Sequence, residues 1–141
     1  MTEIDKLRIL LTDSDIPHES IIQLMNYDIY INADKTKGER YKELSFEWYG
    51  EAAKYSLNQV VYGRTSRGSW MFDAIWQKGS YGAKKGLIET YGQLGQIKGE
   101  PQIMTANEAY EIIVNHWNRL SEDTKKKYRE RIEKIEEEQN K

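Results

Sequence analysis

The most regular hydrophobic pattern along the chain predicts a helix over residues 106–120. Its apolar positions recur every three or four residues, as on the buried face of a helix: Ala109, Ile112, Ile113, Trp117 and Leu120. The segment Thr105-Ala106-Asn107-Glu108 precedes them and has the form of a capping box, in which the threonine and glutamate side chains bind free N–H groups of the first turn.

Two further helices follow from the same periodicity. Apolar residues at helical spacing predict an amphipathic helix over residues 3–12, which the polar residues 13–15 and Pro17 end. Ser121 is suited to cap another helix, whose narrow apolar seam comprises Tyr128, Ile132 and Ile135. Because residues 121–141 carry seven positive and seven negative charges, we expect a solvated helix that docks on the domain or on a second copy.

Alternating and β-prone residues predict three strands, over residues 27–31, 59–62 and 69–77, with a polar loop over 33–40. The last two strands are joined by a short glycine-containing link, so they predict an antiparallel hairpin. Residues 39–56 keep a helical period, although 44–49 also suit a strand rich in aromatic residues, and the helix is favoured. After the hairpin, Gly79-Ser80-Tyr81-Gly82 predicts a turn that leads into a helix over residues 83–94.

These elements predict an α+β fold: a small antiparallel sheet with a central hairpin, packed with helices, and a C-terminal helical pair. The 141 residues fit a single domain over residues 1–120, followed by the charged helix 121–141. The composition is polar, with 38% hydrophobic and 31% charged residues. Aromatic residues nevertheless make up 11% of the chain, which is enough to fill a modest core.

The absence of cysteine excludes disulfides and thiolate metal sites and suits a reducing compartment. No apolar run approaches the roughly 18 residues that a membrane span requires. The first residues also lack the apolar stretch of a signal peptide. Together these features predict a cytoplasmic protein that does not contact membranes.

Positive charge is concentrated in the central third of the chain. Residues 54–98 carry seven basic and two acidic side chains, a net charge of +5, whereas the whole chain has a net charge of −2. Such a segment suits an anionic ligand or an acidic protein face, although scattered solubilising charges explain it equally well. Nucleic acid is a disfavoured partner, because the pI near 5.8 lacks the basic character of a nucleic-acid-binding domain.

The sequence does not contain a recognisable catalytic or metal-binding constellation. His18 and His116 are its two histidines, and neither belongs to a triad or to a zinc-binding spacing. We therefore predict no catalytic residue, no metal and no cofactor. Asp73 and Glu89 leave open a small hydrolase that works by acid–base chemistry, but for Asp73 we favour a structural role as acceptor for the Gly79–Gly82 turn.

The Gly-Ser-Tyr-Gly turn, followed by Lys84 and Lys85, suggests two interpretations. Free N–H groups at the start of the predicted helix would attract an anion such as a nucleotide phosphate. The spacing matches neither a phosphate-binding Walker loop nor a dinucleotide fingerprint, so turn geometry alone is the favoured explanation of the glycines.

Aromatic side chains next to this turn are the other candidate surface. Trp70, Phe72 and Trp76 share one face of the predicted strand, and Asp73 and Ile75 lie on the other. Exposed aromatic rings near Arg64 and Arg67 would stack on a base or form a protein-binding hot spot, whereas Trp70 and Trp117 suit the core. The candidate ligand- or partner-binding residues are Arg64, Arg67, Trp76, Gln77, Ser80, Tyr81, Gly82, Lys84 and Lys85.

Several of these blocks resemble small uncharacterised proteins encoded by phages and prophages of Firmicutes. The resemblance covers residues 57–117 and rests on these segments: 59–64, Asp73-Ala74-Ile75-Trp76-Gln77, Gly79-Ser80-Tyr81-Gly82, 86–89, 105–108 and His116-Trp117. Members of that family often carry histidine where this chain has Gln77. The resemblance implies a phage accessory protein acting in a bacterial host, without an established activity.

The sequence therefore predicts a non-catalytic phage accessory protein that binds and inhibits a host protein, such as a component of a defence system, in the manner of an anti-CRISPR protein. One alternative is sequestration of a nucleotide-like signalling molecule in the basic, aromatic turn region. Another is the hydrolase with Asp73 and Glu89. The last helix and the aromatic content also allow a homodimer.

Overall fold

A computed structural model describes residues 1–25, 46–95 and 99–140 of the chain. The predicted strand over 27–31, the loop over 33–40 and the first part of the segment 39–56 lie outside these residues. In the remainder of that segment, residues 46–49 are helical and Gly50–Lys54 forms a 3-10 turn. The helical prediction for 39–56 thus holds in its described part up to Tyr55, where a strand begins.

Within the described residues the sheet has five antiparallel strands, whose spatial order follows the order in the sequence. The strands are β1 (Glu19–Leu24), β2 (Tyr55–Tyr62), β3 (Phe72–Ile75), β4 (Ile88–Gly92) and β5 (Gln102–Met104). The predicted hairpin is confirmed as β2 paired with β3, with Val60 opposite Ala74. Three helices accompany the sheet: α1 (Glu3–Asp13), α2 (Ala106–Arg119) and α3 (Glu122–Gln139). The predicted α+β class is therefore confirmed.

Local capping signals fix where the helices begin. The Thr105 side chain accepts from the N–H of Glu108, and the Glu108 carboxylate accepts from the N–H of Thr105, which completes the predicted capping box. Ser121 caps α3 by accepting from the N–H of Thr124. Because these bonds involve residues only three apart, they are readable from the sequence.

One face of the sheet, which we call the inner face, carries the core. Val60, Tyr62, Phe72 and Ala74 lie buried on it. The helices α1 and α2 add their buried apolar residues to the same cluster: Ile4, Leu7, Leu11, Ala109, Ile113 and Trp117. The opposite face, here called the outer face, carries Gln59, Asp73, Glu89 and Tyr91.

The helix α3 docks on the domain without burying any residue completely. The Tyr128 ring lies 5.9 Å from that of Tyr62 and 6.1 Å from that of Trp117, and the Arg131 guanidinium donates to the Arg64 carbonyl at 3.0 Å. In the described part of the chain, no helix combines the length and the apolar character needed to cross a membrane.

The predicted helix over residues 83–94 is wrong. A 3-10 turn covers only Ala83–Lys85, and Gly86 then adopts a φ of 76°, a left-handed conformation that ends the turn. Residues 88–91 instead alternate between buried and more exposed positions and pair with both β3 and β5. The sequence also did not reveal β1 and β5, because the former lacks a clean alternation and the latter has three residues.

Candidate functional site

The turn between β3 and β4 is held together by its own polar groups. Ser80 is only 4% exposed, and its hydroxyl donates to the Gln77 carbonyl at 2.8 Å and accepts from the Gln77 N–H at 3.1 Å. The Gln77 side chain accepts from the N–H of Asn58 on β2 at 3.0 Å. Two predicted binding residues, Gln77 and Ser80, therefore form hydrogen bonds that stabilise the turn.

Trp76, which was predicted to contact a partner, lies in the core. Its side chain is 7% exposed, and its indole N–H donates to the carbonyl of Ala83 at 2.9 Å. The ring also packs against Tyr55, with 5.9 Å between the ring centres. The buried indole thus supports the turn from the core, and little of its surface is accessible to another molecule.

Glu89 anchors the outer end of the turn. Its carboxylate accepts from the N–H of Tyr81 at 2.7 Å. The expectation that Asp73 receives the hydrogen bonds of the turn is therefore corrected: Glu89, the second residue of β4, accepts from the turn instead. A charge-assisted bond of this kind is stronger than a neutral one and holds the Tyr81 backbone in place.

Three large side chains surround Glu89 on the outer face and remain exposed. Tyr81 is 67% exposed, and Tyr91 and Ile103 are each 48% exposed. Ile103 lies opposite Glu89 on β5, and Tyr91 lies two residues along β4 on the same face. We call Tyr81, Tyr91 and Ile103 the corner patch. The sequence analysis missed Tyr91 and Ile103, although the alternation of residues 88–91 was a usable signal.

Close packing at Gly82 joins the turn to this patch. Gly82 has a φ of 76°, and a Cβ placed there would lie 2.6 Å from Cγ2 of Ile103. Glycine is therefore required both by the backbone conformation and by the approach of β5. Gly82 therefore allows β5 to pack closely against the turn, whereas the side chain of the neighbouring Tyr81 is exposed to solvent.

Lys84 and Lys85 are exposed three and four residues after Tyr81, but the helix that would have made them an anion site is absent. The three-residue turn that replaces it ends at Gly86. The N–H of Tyr81 is already engaged by Glu89, whose negative charge would repel a phosphate.

Arg64 and Arg67 lie at the other end of β3 from the turn, in the loop after β2. The four residues of β3 separate the two groups by about 13 Å. Arg64 makes a bidentate ion pair with Glu19 at 2.8 and 3.0 Å and donates to the Gly68 carbonyl, whereas Arg67 is exposed. The structure therefore divides the predicted single basic, aromatic region into two.

Trp70 reverses its predicted placement. It precedes β3, stays half-buried and makes a side-chain hydrogen bond to Asp73 on the outer face, with the Arg64 guanidinium 5.2 Å from its ring centre. Trp117, by contrast, is 6% exposed in the core, as expected. The position of Trp70 follows from the shortness of β3. Because Trp70 lies outside the strand, the alternation of side chains between the two faces of the sheet does not determine where its ring points.

Asp73 is a buried carboxylate on the outer face. It is 8% exposed and accepts from the Gln59 amide at 2.7 Å. Burial raises its pKa, an effect that the hydrogen bonds from Gln59 and Trp70 oppose and the nearby Glu89 charge reinforces. Asp73 and Glu89 share a face but occupy diagonal positions on neighbouring strands, so their side chains serve different partners.

His116 takes part in an aromatic cluster where α2, α3 and β2 meet. Its Nδ1 lies 2.7 Å from the hydroxyl of the fully buried Tyr62, and its ring stacks on Tyr128 at 6.5 Å. Burial lowers the pKa of His116, with a smaller contribution from the Arg119 charge, and burial raises the pKa of Tyr62. A neutral histidine that accepts from the tyrosine satisfies both groups, so His116 packs structurally.

Within the described residues, no group of three or more histidine, aspartate or glutamate side chains is placed to hold a metal ion. A scan against models of known protein families found no match, and searches of curated proteins and of solved structures found no significant match either.

Proposed function

We propose that this chain is a non-catalytic binding protein that docks on a host protein through the corner patch and inhibits it. The observation that carries the proposal is the exposure of Tyr81, Tyr91 and Ile103 at one place on the outer face. Tyrosine is enriched at the energetic centres of protein interfaces, since its ring buries much area and its hydroxyl stays satisfied in a polar rim. Lys84 and Lys85 would form part of that rim.

A protein partner fits the patch better than a nucleotide does. The centre of the patch is the Glu89 carboxylate, and the N–H of Tyr81 that could have met a phosphate is bound to it. Sequestration of an anionic signalling molecule is therefore less favoured, because the predicted helix is absent and the Tyr81 N–H is not free to donate to a phosphate. The phage setting and the defence target, in anti-CRISPR style, rest on the sequence resemblance and belong to the proposal.

Hydrolysis by Asp73 and Glu89 is not favoured. Asp73 is 8% exposed and held by Gln59 and Trp70, so its carboxylate is occupied by the fold. Glu89 is equally committed to the backbone of the turn. Both carboxylates therefore have a structural role in the fold.

The test is capture of the partner from a host lysate with matched surface variants. Ile103→Ala on β5 and Tyr81→Ala should abolish capture of a protein that the unaltered chain retains. Ile22→Ala is the control, because Ile22 is 53% exposed on the opposite edge of the same sheet. The captured protein should also lose its activity when the unaltered chain is added, and expression of the chain should restore plating of a phage that the defence system restricts.

Equal capture by all three variants would remove the patch from the interface. Capture with no effect on the activity of the captured protein would leave binding but refute inhibition.

A further inference from the structure

A second surface lies on another part of the molecule, between the segment that leads into β1 and the second half of α3. It is a groove of about 520 Å³. Pro17 and Ile21 line one side, and Ile132 and Ile135 line the other. All four residues are half-buried, and α3 buries no residue fully in this docked position. The floor of the groove is therefore apolar and open to solvent.

The rim of this groove is acidic. Asp15, Glu133 and Glu136 contribute carboxylates, and none of them forms an ion pair within the described part of the chain. The groove is also lined by the basic residue Arg129, whose guanidinium lies over the Trp117 ring, 5.3 Å from its centre. The groove thus presents negative charge above an apolar floor.

His18 adds a further acceptor to the lining. Its Nδ1 lies 2.8 Å from the Ile16 carbonyl oxygen. A carbonyl can only accept, so Nδ1 carries the proton and, in the neutral ring, Nε2 has a free lone pair. The polar groups of the groove are consequently matched to a ligand that donates hydrogen bonds and carries positive charge.

The charge at this end of α3 opposes the helix dipole. Glu136, Glu137 and Glu138 lie in its last turn, which has no basic residue. Carboxylates are unfavourable there, since the unpaired carbonyls of a helix end carry partial negative charge. A cationic occupant of the groove would relieve this repulsion.

We propose that the acidic groove binds a segment of a partner protein that carries apolar side chains flanked by lysine or arginine. The apolar residues would cover Ile21, Ile132 and Ile135, and the cations would meet Glu133, Glu136 and Asp15. Charge complementarity selects this occupant. The surface is distinct from the corner patch, so the proposal stands independently of the proposed function.

The probe is a fluorescein-labelled 14-residue peptide with leucines at helical spacing and lysines elsewhere, with a matched peptide that has glutamate in place of lysine. Anisotropy at physiological ionic strength should show saturable binding of the lysine peptide alone. The double variant Glu133→Gln with Glu136→Gln should weaken this binding roughly tenfold. Glu137→Gln with Glu138→Gln removes the same charge outside the lining and should change it less than about twofold.

Four outcomes would overturn the proposal. Equal weakening by the two double variants would mean nonspecific attraction to the end of α3. Full binding by Ile135→Asn would remove the apolar floor from the interface. Absence of saturable binding of the lysine peptide at millimolar concentration would refute the site directly. Sedimentation that shows a dimer, dissociated by Glu133→Gln with Glu136→Gln, would give the groove to a second copy of this chain.

Discussion

Replacing Trp76 with phenylalanine tests whether this residue supports the turn from within the core. The substitution keeps an aromatic ring next to Tyr55 but removes the indole N–H that donates to the Ala83 carbonyl at 2.9 Å. Ala83 is 3% exposed, so water has little access to the carbonyl that is left. The change therefore leaves this buried carbonyl with one hydrogen bond instead of two, since the Gly86 N–H still donates to it at 3.0 Å.

The expected loss of stability is the sum of two effects. The loss of one of the two hydrogen bonds to this carbonyl costs about 0.5–1.5 kcal/mol. The smaller ring buries less apolar surface in a site that is 7% exposed, which adds roughly 1 kcal/mol. The free energy of unfolding should then fall by about 1.5–2.5 kcal/mol, and Tm by roughly 4–10 °C for a domain of this size.

Urea denaturation followed by far-ultraviolet circular dichroism measures this loss without depending on tryptophan fluorescence. The control is Tyr81→Ala, since Tyr81 is 67% exposed and its replacement should change stability by no more than about 0.5 kcal/mol. A Trp76→Phe protein as stable as the unaltered chain, but unable to bind the partner, would refute the argument and return Trp76 to the interface.

Three further predictions concern protonation and packing. Burial lowers the pKa of His116 below its ordinary 6.5, so as the pH falls through 6.5 the unfolded chain takes up a proton before the folded chain does. Urea denaturation at decreasing pH should therefore show a loss of stability, and His116→Asn should remove this pH dependence. Burial raises the pKa of Asp73 above 3.8, so the unaltered chain should lose stability relative to Asp73→Asn as the pH rises above that value, and a constant difference would contradict this. Gly82→Ala should lower the free energy of unfolding by about 1–3 kcal/mol, through the strained backbone conformation and the clash with Ile103. Adding Ile103→Ala should recover the loss due to the clash but not the loss due to the backbone, whereas simple additivity of the two variants would argue against the contact.

Elements with local signals were predictable from the sequence. The α2 capping box, the Ser121 cap and the hairpin of β2 and β3 all depend on residues close together in the chain. The strand β4 depends on pairing with β3 and β5, and its first residues follow Gly86, whose left-handed conformation ends what looked like a helix. Such pairing lies outside what a local period can reveal.

The candidate site was only partly predictable, for a similar reason. The sequence places Arg64, Arg67 and Lys84 within about 20 residues, but β3 runs between them and carries them to opposite ends of the sheet. The length of β3 also decides which tryptophan is buried. Had the strand covered 69–77, Trp70 and Trp76 would share a face; since it covers Phe72–Ile75, Trp70 turns to Asp73 and Trp76 enters the core.

The buried half of the turn supports the binding role proposed for its exposed half. A flexible loop that presents a tyrosine must be ordered on association, and each immobilised side chain or loop segment then reduces the affinity. Here the indole of Trp76, the hydroxyl of Ser80 and the carboxylate of Glu89 already fix the backbone on both sides of Tyr81. The only part of Tyr81 left to order is its side chain. Residues predicted as contacts and found inside the turn would therefore still bear on the proposed binding, because they determine where the exposed ring is held.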